Sequence, residues 1–416
     1  MQRHCAKLLR AALTASLVQL AIAGAAVAGP LEDALAARDR GDDATALRLI
    51  RPLADQGNAE AQYNLGIMYV TGQGAHKNDE EAAKWFRLAA DQGYAPAQYN
   101  LGVMYGNGWG VPQNYGEAAK WYRLAANQGY VNAQFNLGVM YERGDGVSQN
   151  YGEAMKWFRI AAEQGYAAAQ YNLGLMFGNG EGVPQNYGEA IKWYRLAATQ
   201  GDADAQYSLG RRYYNGDGIP KNYSEAMKWF RLAADQGHAD AQYTLGVIYN
   251  TGQGVPQNYA EGFKWLQLAA KQGNAGGQFN LGVMYEHGDG VSQNYDEALK
   301  WYDLAAKQGD AKGQFNLGVM YRDGKGVPKN YAEAVKWFRL AADQGFAIAQ
   351  YNLGLMYTNG LGPQDYVQAH MWLSLSAAQG TQDADKNREI VERYMTATQV
   401  AEARKLARDW KPKPIH

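Results

Sequence analysis

Between Tyr94 and Gly129, the apolar residues Ala97, Leu101, Met104 and Tyr105 fall at i, i+4, i+7 and i+8, which is one face of a helix. Gly106-Asn107-Gly108-Trp109-Gly110 closes this first helix, termed A, because glycine readily takes the left-handed conformation that ends a helix and turns the chain. Asn114 then stands three residues before Glu117. This is an Asn form of the capping box, in which Asn accepts from the backbone near Glu117 and the glutamate reaches back. Ala118, Trp121, Tyr122, Leu124 and Ala125 mark a second helix, B, which Gly129 stops. The unit is helix, loop, capped helix, stop.

The unit recurs. A Leu-Gly step returns every 36 residues, at Gly66, Gly102, Gly138, Gly174, Gly210, Gly246, Gly282, Gly318 and Gly354. Helix B repeats its Asn-x-x-Glu start at Asn150/Glu153, Asn186/Glu189, Asn222/Glu225, Asn258/Glu261, Asn294/Glu297 and Asn330/Glu333. A glycine inside a helix costs about 1 kcal/mol relative to alanine. Its retention at one phase of helix A predicts a close approach by helix B, and the tryptophan row that includes Trp85, Trp121, Trp157 and Trp193 is the expected large partner. An array at this period predicts an all-α solenoid of about nine helix-pair repeats in residues 58–380. Residues 29–57 read as an N-terminal capping helix pair with Pro52 as an oddity. Residues 381–416 read as C-terminal capping helices and a tail, with a Thr396/Gln399 cap before Val400, Ala403, Leu406, Ala407 and Trp410.

The first 28 residues stand outside the pattern. Arg3, Lys7 and Arg10 precede an apolar stretch from Ala11 to Ala25, and Ala26-Val27-Ala28 offers a small-x-small cleavage site. This predicts a signal peptide cut between Ala28 and Gly29, a periplasmic or secreted mature protein, and no membrane insertion after cleavage. The only cysteine, Cys5, would leave with that segment, so disulfides are not expected to hold the array together.

Composition narrows the function. Lys plus Arg (40) balances Asp plus Glu (41), and no block of like charge is present, which argues against a nucleic-acid partner. His76, His238, His287, His370 and His416 are scattered over separate repeats and read as solvated or loop residues, so no metal, cofactor or catalytic cluster is expected. The Gly-x-Gly loops lack the Lys-Ser/Thr of a phosphate cradle, and Asp145, Asp217 and Asp289 lack the alternating ligands of a calcium loop. Arg143-Gly144-Asp145 spells an adhesion tripeptide whose glycine the helix stop already demands.

The pattern A-x-x-x-L-G-x-x-Y-x-x-G-x-G-V, followed by a capped helix with A-x-K-W-[FY]-x-L-A-A-x-Q-G, resembles the Sel1-like repeat family, relatives of tetratricopeptide repeats. The resemblance implies a right-handed α/α superhelix that acts as a non-catalytic scaffold or adaptor for other proteins, often in bacterial envelope, signalling or host-contact settings. It carries over no catalytic site. A cell-envelope carbohydrate such as peptidoglycan or an exopolysaccharide is the alternative ligand, because aromatic rows can stack on sugars.

On helix A, Tyr99, Val103 and Gly106 lie opposite the stacking face, and in tetratricopeptide-like solenoids that side lines the concave groove. The Tyr99 position is aromatic in every repeat, including Phe135, Tyr171, Tyr207 and Tyr243. This row is either a peptide-binding stripe or packing between adjacent A helices. The Gly106 position is the most variable: Val70, Glu142, Gly178, Tyr214, Asn250, Glu286, Arg322 and Thr358. The fifth repeat replaces an apolar pair with Arg211-Arg212, followed by Tyr213 and Tyr214. This is a candidate polar anchor, unless Arg212 pairs with a nearby carboxylate. Trp109, flanked by loop glycines, is a candidate contact unless it folds back on Pro112 or the next repeat.

Overall fold

A computed structural model describes residues 29–362 and 364–413. The expected signal peptide with Cys5, and His416, lie outside the described residues. The chain divides into two compact units, the first ending at Asp202 and the second beginning at Ala203. All regular structure among the described residues is helical.

In the first unit, α1 (Pro30–Asp39) and α2 (Asp43–Asp55) form the terminal pair. Four A/B pairs follow: α3 (Ala59–Thr71) with α4 (Asp79–Asp91), α5 (Ala95–Asn107) with α6 (Tyr115–Asn127), α7 (Val131–Arg143) with α8 (Tyr151–Glu163), and α9 (Ala167–Asn179) with α10 (Tyr187–Thr199). The second unit holds five: α11 (Ala203–Asn215) with α12 (Tyr223–Asp235), α13 (Ala239–Thr251) with α14 (Tyr259–Lys271), α15 (Ala275–His287) with α16 (Tyr295–Lys307), α17 (Ala311–Asp323) with α18 (Tyr331–Asp343), and α19 (Ala347–Thr358) with α20 (Tyr366–Ala378). It closes with α21 (Ala384–Glu392) and α22 (Ala397–Asp409). Pro52 sits within the last turn of α2.

The close approach at the Leu-Gly step is present, but its partner differs from the expectation. A Cβ added to Gly102 would lie 2.7 Å from the ring of Tyr122, not against Trp121. Phe158, Tyr194, Phe230 and Tyr302 take the same place beside Gly138, Gly174, Gly210 and Gly282, and Leu266 beside Gly246. Neighbouring residues on a helix point about 100° apart, so one residue of the pair faces its own A helix and the other cannot. Trp121 instead packs with Ile67, Ala83 and Phe86 of the preceding pair, and Trp265 with Ala226 and Phe230. The tyrosine or phenylalanine seals a repeat; the tryptophan joins it to the one before.

Helix B starts as expected in one respect and not in the other. Asn114 Oδ1 accepts the Glu117 N–H at 3.0 Å, but the Asn114 N–H already donates to Tyr105 O at 2.9 Å. With that donor satisfied, Glu117 turns to Lys120, 3.6 Å away. A reciprocal box closes at Thr396 and Gln399 in the C-terminal cap. At the loop, Gly108 and Gly110 have φ of 71° and 65°, and a Cβ on Gly110 would strike Asp79 O of the preceding pair at 2.1 Å.

A polar spine runs through each unit. Gln98 is buried, donates to Ala90 O of the preceding B helix at 3.1 Å, and accepts from Gln128 of its own B helix at 2.8 Å. Gln134 and Gln170 do the same in the first unit, and Gln242, Gln278 and Gln314 in the second. Each side chain adds a second donor to a B-helix carbonyl that the closing glycine N–H already meets, as Gly93 N does at Ala90 O, and so ties three helices together.

Candidate partner-binding surface

The aromatic row on helix A is a packed row. Tyr99 is buried, with its ring 5.8 Å from Tyr122 and 5.2 Å from Tyr130. Phe135 lies likewise between Phe158 and Tyr166, Tyr171 lies beside Tyr194, and Tyr207 lies between Phe230 and His238. Tyr243 is half-buried. Burial pushes the phenols of Tyr99 and Tyr122 well above the usual tyrosine range and that of Tyr94 up to about 12, so these rings are neutral. Val103, placed by periodicity on the groove side, is buried as well. Its counterparts Val139, Val283 and Val319 are half-buried, so this side of helix A keeps partial exposure in other repeats.

Arg211 and Arg212 separate. Arg211 is exposed, its guanidinium 5.9 Å from the Tyr207 ring, while Arg212 lies 3.5 Å from Asp217 in its own loop. Tyr214 hydrogen-bonds to Gln253 and meets the Tyr223 ring edge-on at 5.2 Å. Trp109 is half-buried against the clusters of the first two repeats and is not an exposed loop tip.

The variable helix-A position has a structural use that the sequence pattern hid. Tyr214 reaches Gln253, and Glu286 accepts from Lys325 at 3.1 Å; each contact joins one repeat to the middle residue of the next repeat's Gly-x-Gly loop. Val70 and Trp109 stand in the same relation and pack on one apolar cluster. Variation there is matched across each of these junctions, which makes it a registration feature of the stack.

Two rows escaped the sequence reading. One is Leu88, Leu124 and Leu196 in the first unit, and Leu232, Leu268, Leu304 and Leu340 in the second, all 40–48% exposed on helix B. Leu124 is among the apolar residues whose spacing marks helix B. Its exposure was not legible, because an isolated leucine at that phase fits both a core stripe and a contact row. The second row is the tyrosine that opens every B helix but α4, which opens with Asp79; Tyr115, Tyr259 and Tyr331 are exposed. Gln113 fixes the Tyr115 hydroxyl at 3.1 Å while capping Gly106 O at 2.8 Å, and Gln257 does the same for Tyr259 and Asn250 O.

The histidine expectation fails at one residue. His370 is fully buried, with Nε2 2.6 Å from the Glu392 carboxylate and Nδ1 3.3 Å from Ser374 Oγ. The Ser374 hydroxyl instead donates to the His370 carbonyl at 2.7 Å, and the ring meets no solvent, so the trio presents no nucleophile. Arg404 also binds Glu392, at 3.0 Å, so the network joins α20, α21 and α22. Among the described residues no group of three His, Cys, Asp or Glu side chains could hold a metal ion, and no helix is long and apolar enough to cross a membrane.

Paired helices, a repeated loop and a surface of periodic rows define a helical-repeat protein of the scaffold class. The Sel1 repeat model matches residues 59–94, 95–130, 131–166, 167–202, 203–238, 239–274, 275–310, 311–346 and 347–381, and the chain belongs to the Sel1 repeat family. Among solved structures it is similar to a protective antigen present in uropathogenic Escherichia coli strains displaying an SLR fold. That match has 35% identity, covers 92% of this chain and 91% of that one, and has a TM-score of 0.63. It is also similar to a Sel1 repeat protein from Oxalobacter formigenes, at 32% identity over 83% of this chain and 99% of that one, with a TM-score of 0.61. No curated protein sequence matches it. Sel1 repeat proteins are generally protein-interaction scaffolds and are typically non-catalytic.

Proposed function

We propose that this chain is a non-catalytic scaffold of the bacterial envelope or secreted space that holds a protein or peptide on a preformed repeat surface. The observation that carries this reading is the set of helix-B leucines, each 40–48% exposed at the same repeat position, a set that the half-buried Ile160 interrupts in the third repeat. Exposed apolar side chains repeated at one helical position offer a partner a periodic set of contacts, and a rigid array limits the ordering cost of association. The exposed Arg211, over the Tyr207 ring, adds a polar anchor.

Cross-linking the protein in its native compartment, followed by mass spectrometry, tests the proposal. Cross-links from a defined protein should map to the helix-B row or the Arg211 region, and the double variant L268E/L304E should lose that partner while staying folded. Retention on purified envelope glycan with no protein cross-linked would overturn the reading in favour of carbohydrate. N-terminal sequencing of the exported protein tests the compartment, with Gly29 as the expected first residue.

A further inference from the structure

The tyrosines that open the B helices of the second unit alternate between covered and open. Tyr223 has the Tyr214 ring at 5.2 Å and Lys221 Nζ at 5.7 Å, and Tyr295 has Lys325 Nζ at 5.6 Å over its face. At the end of the row, Tyr366 is stacked by Tyr394 of the C-terminal cap, centroids 5.6 Å apart and planes 18° from parallel. Tyr259 and Tyr331, between these, are 39% and 37% exposed. The covered members all take one chemistry, a ring or a cation from a side chain against a tyrosine π-face. Gln257 holds the Tyr259 hydroxyl at 2.8 Å and is itself fixed to Asn250 O at 2.7 Å, so that ring is ordered before anything binds.

We propose that Tyr259 and Tyr331 are docking sites for a polypeptide segment that presents aromatic or basic side chains, continuing the contact that Tyr394 already makes at Tyr366. The proposal deepens the scaffold reading and rests on it. It favours a polypeptide over a glycan because Tyr394 shows that a flat side-chain ring on a short turn can stack on this row.

The test selects phage-displayed random peptides on the full chain and remakes the winners synthetically. Selected peptides should be rich in Phe, Tyr, Trp, Arg and Lys, and should bind Y259A/Y331A about tenfold more weakly, the loss typical of an aromatic anchor. The variant Y259F/Y331F should retain binding, and both variants should keep the parent Tm, which separates lost docking from lost folding. Peptides that bind Y259A/Y331A as well as the parent would overturn the docking sites yet leave the scaffold reading to its own cross-linking test. Binding of soluble peptidoglycan fragments that falls in Y259A/Y331A, with no peptide bound, would overturn it in favour of sugar. Selection of no peptide at all would also overturn it.

Discussion

The two units solve one junction in two ways. In the first, the A helices that follow a complete repeat begin at Tyr94, Tyr130 and Tyr166, whose side chains make no capping hydrogen bond and instead pack their rings, tilted, against Tyr63, Tyr99 and Phe135 at 5.2–5.3 Å. In the second, the same position is His238, Asn274 and Asp310, each of which accepts from the backbone of its helix, before Phe346 returns to ring packing, edge-on to Phe315. His238 combines both, capping Ala241 N at 3.1 Å with its ring 4.7 Å from Tyr207. Where Asp310 has replaced a ring, Lys312 lies 5.8 Å over Phe279. An N-cap is worth about 1 kcal/mol, and an aromatic pair about 0.5–1.5 kcal/mol. The two devices are close enough in energy to be exchanged along an array without altering its geometry.

That equivalence holds only if both units share one frame, and the frame is the easiest part to break. Gly102→Ala and Gly282→Ala should each lower stability by about 1–3 kcal/mol through overpacking, since their Cβ atoms would lie 2.7 and 2.6 Å from Tyr122 and Tyr302. Thermal melts read this directly. Melting points unchanged in either unit would show that the close approach carries no weight there. The exchange itself comes next: Tyr130→Ala and Asn274→Ala should each cost about 1 kcal/mol, whereas Tyr130→Asn and Asn274→Tyr should fall within about 0.5 kcal/mol of the parent, because one device replaces the other.

Acid should distinguish the two ends. Burial holds His370 below the ordinary histidine range, so as pH falls through that range the unfolded chain takes up a proton that the folded ring refuses, and stability declines. Hydrogen bonds from His370 and Arg404 hold Glu392 low as well, a contribution present above the ordinary glutamate range and lost below it. Both signs agree. Hydrogen exchange in α21 and α22 should therefore accelerate on mild acidification before exchange in α1 and α2 does; equal acceleration at both ends would rule out the network as the cause. The smallest effect is expected for Arg211→Ala, an exposed side chain resting on Tyr207, with a melting temperature within error of the parent.

Much of the fold could be read from the chain, because its signals are local and repeated. Helix limits, the Asn114 cap and the glycine turns follow from backbone requirements that one repeat states and eight others restate. The surface was less legible. Tyr99 and Trp121 each showed as a row, but a row says only that a position matters to every repeat, and packing satisfies that as well as binding does. The Gly106 position misled in the opposite sense: Glu286 and Lys325 are 39 residues apart, and variation in each looks like freedom until the two are seen to meet.

The period, the helix pair, the caps and the family were legible in the residues alone, since each depends on interactions within about a dozen residues or on exact repetition. Tertiary structure decided which ring of Trp121-Tyr122 faces Gly102, that Gln98 ties three helices, that His370 is buried, and that leucines and opening tyrosines of helix B remain exposed. Those outcomes depend on the directions in which side chains leave neighbouring helices, and residues with the same helical phase become core or surface according to what the next repeat places against them.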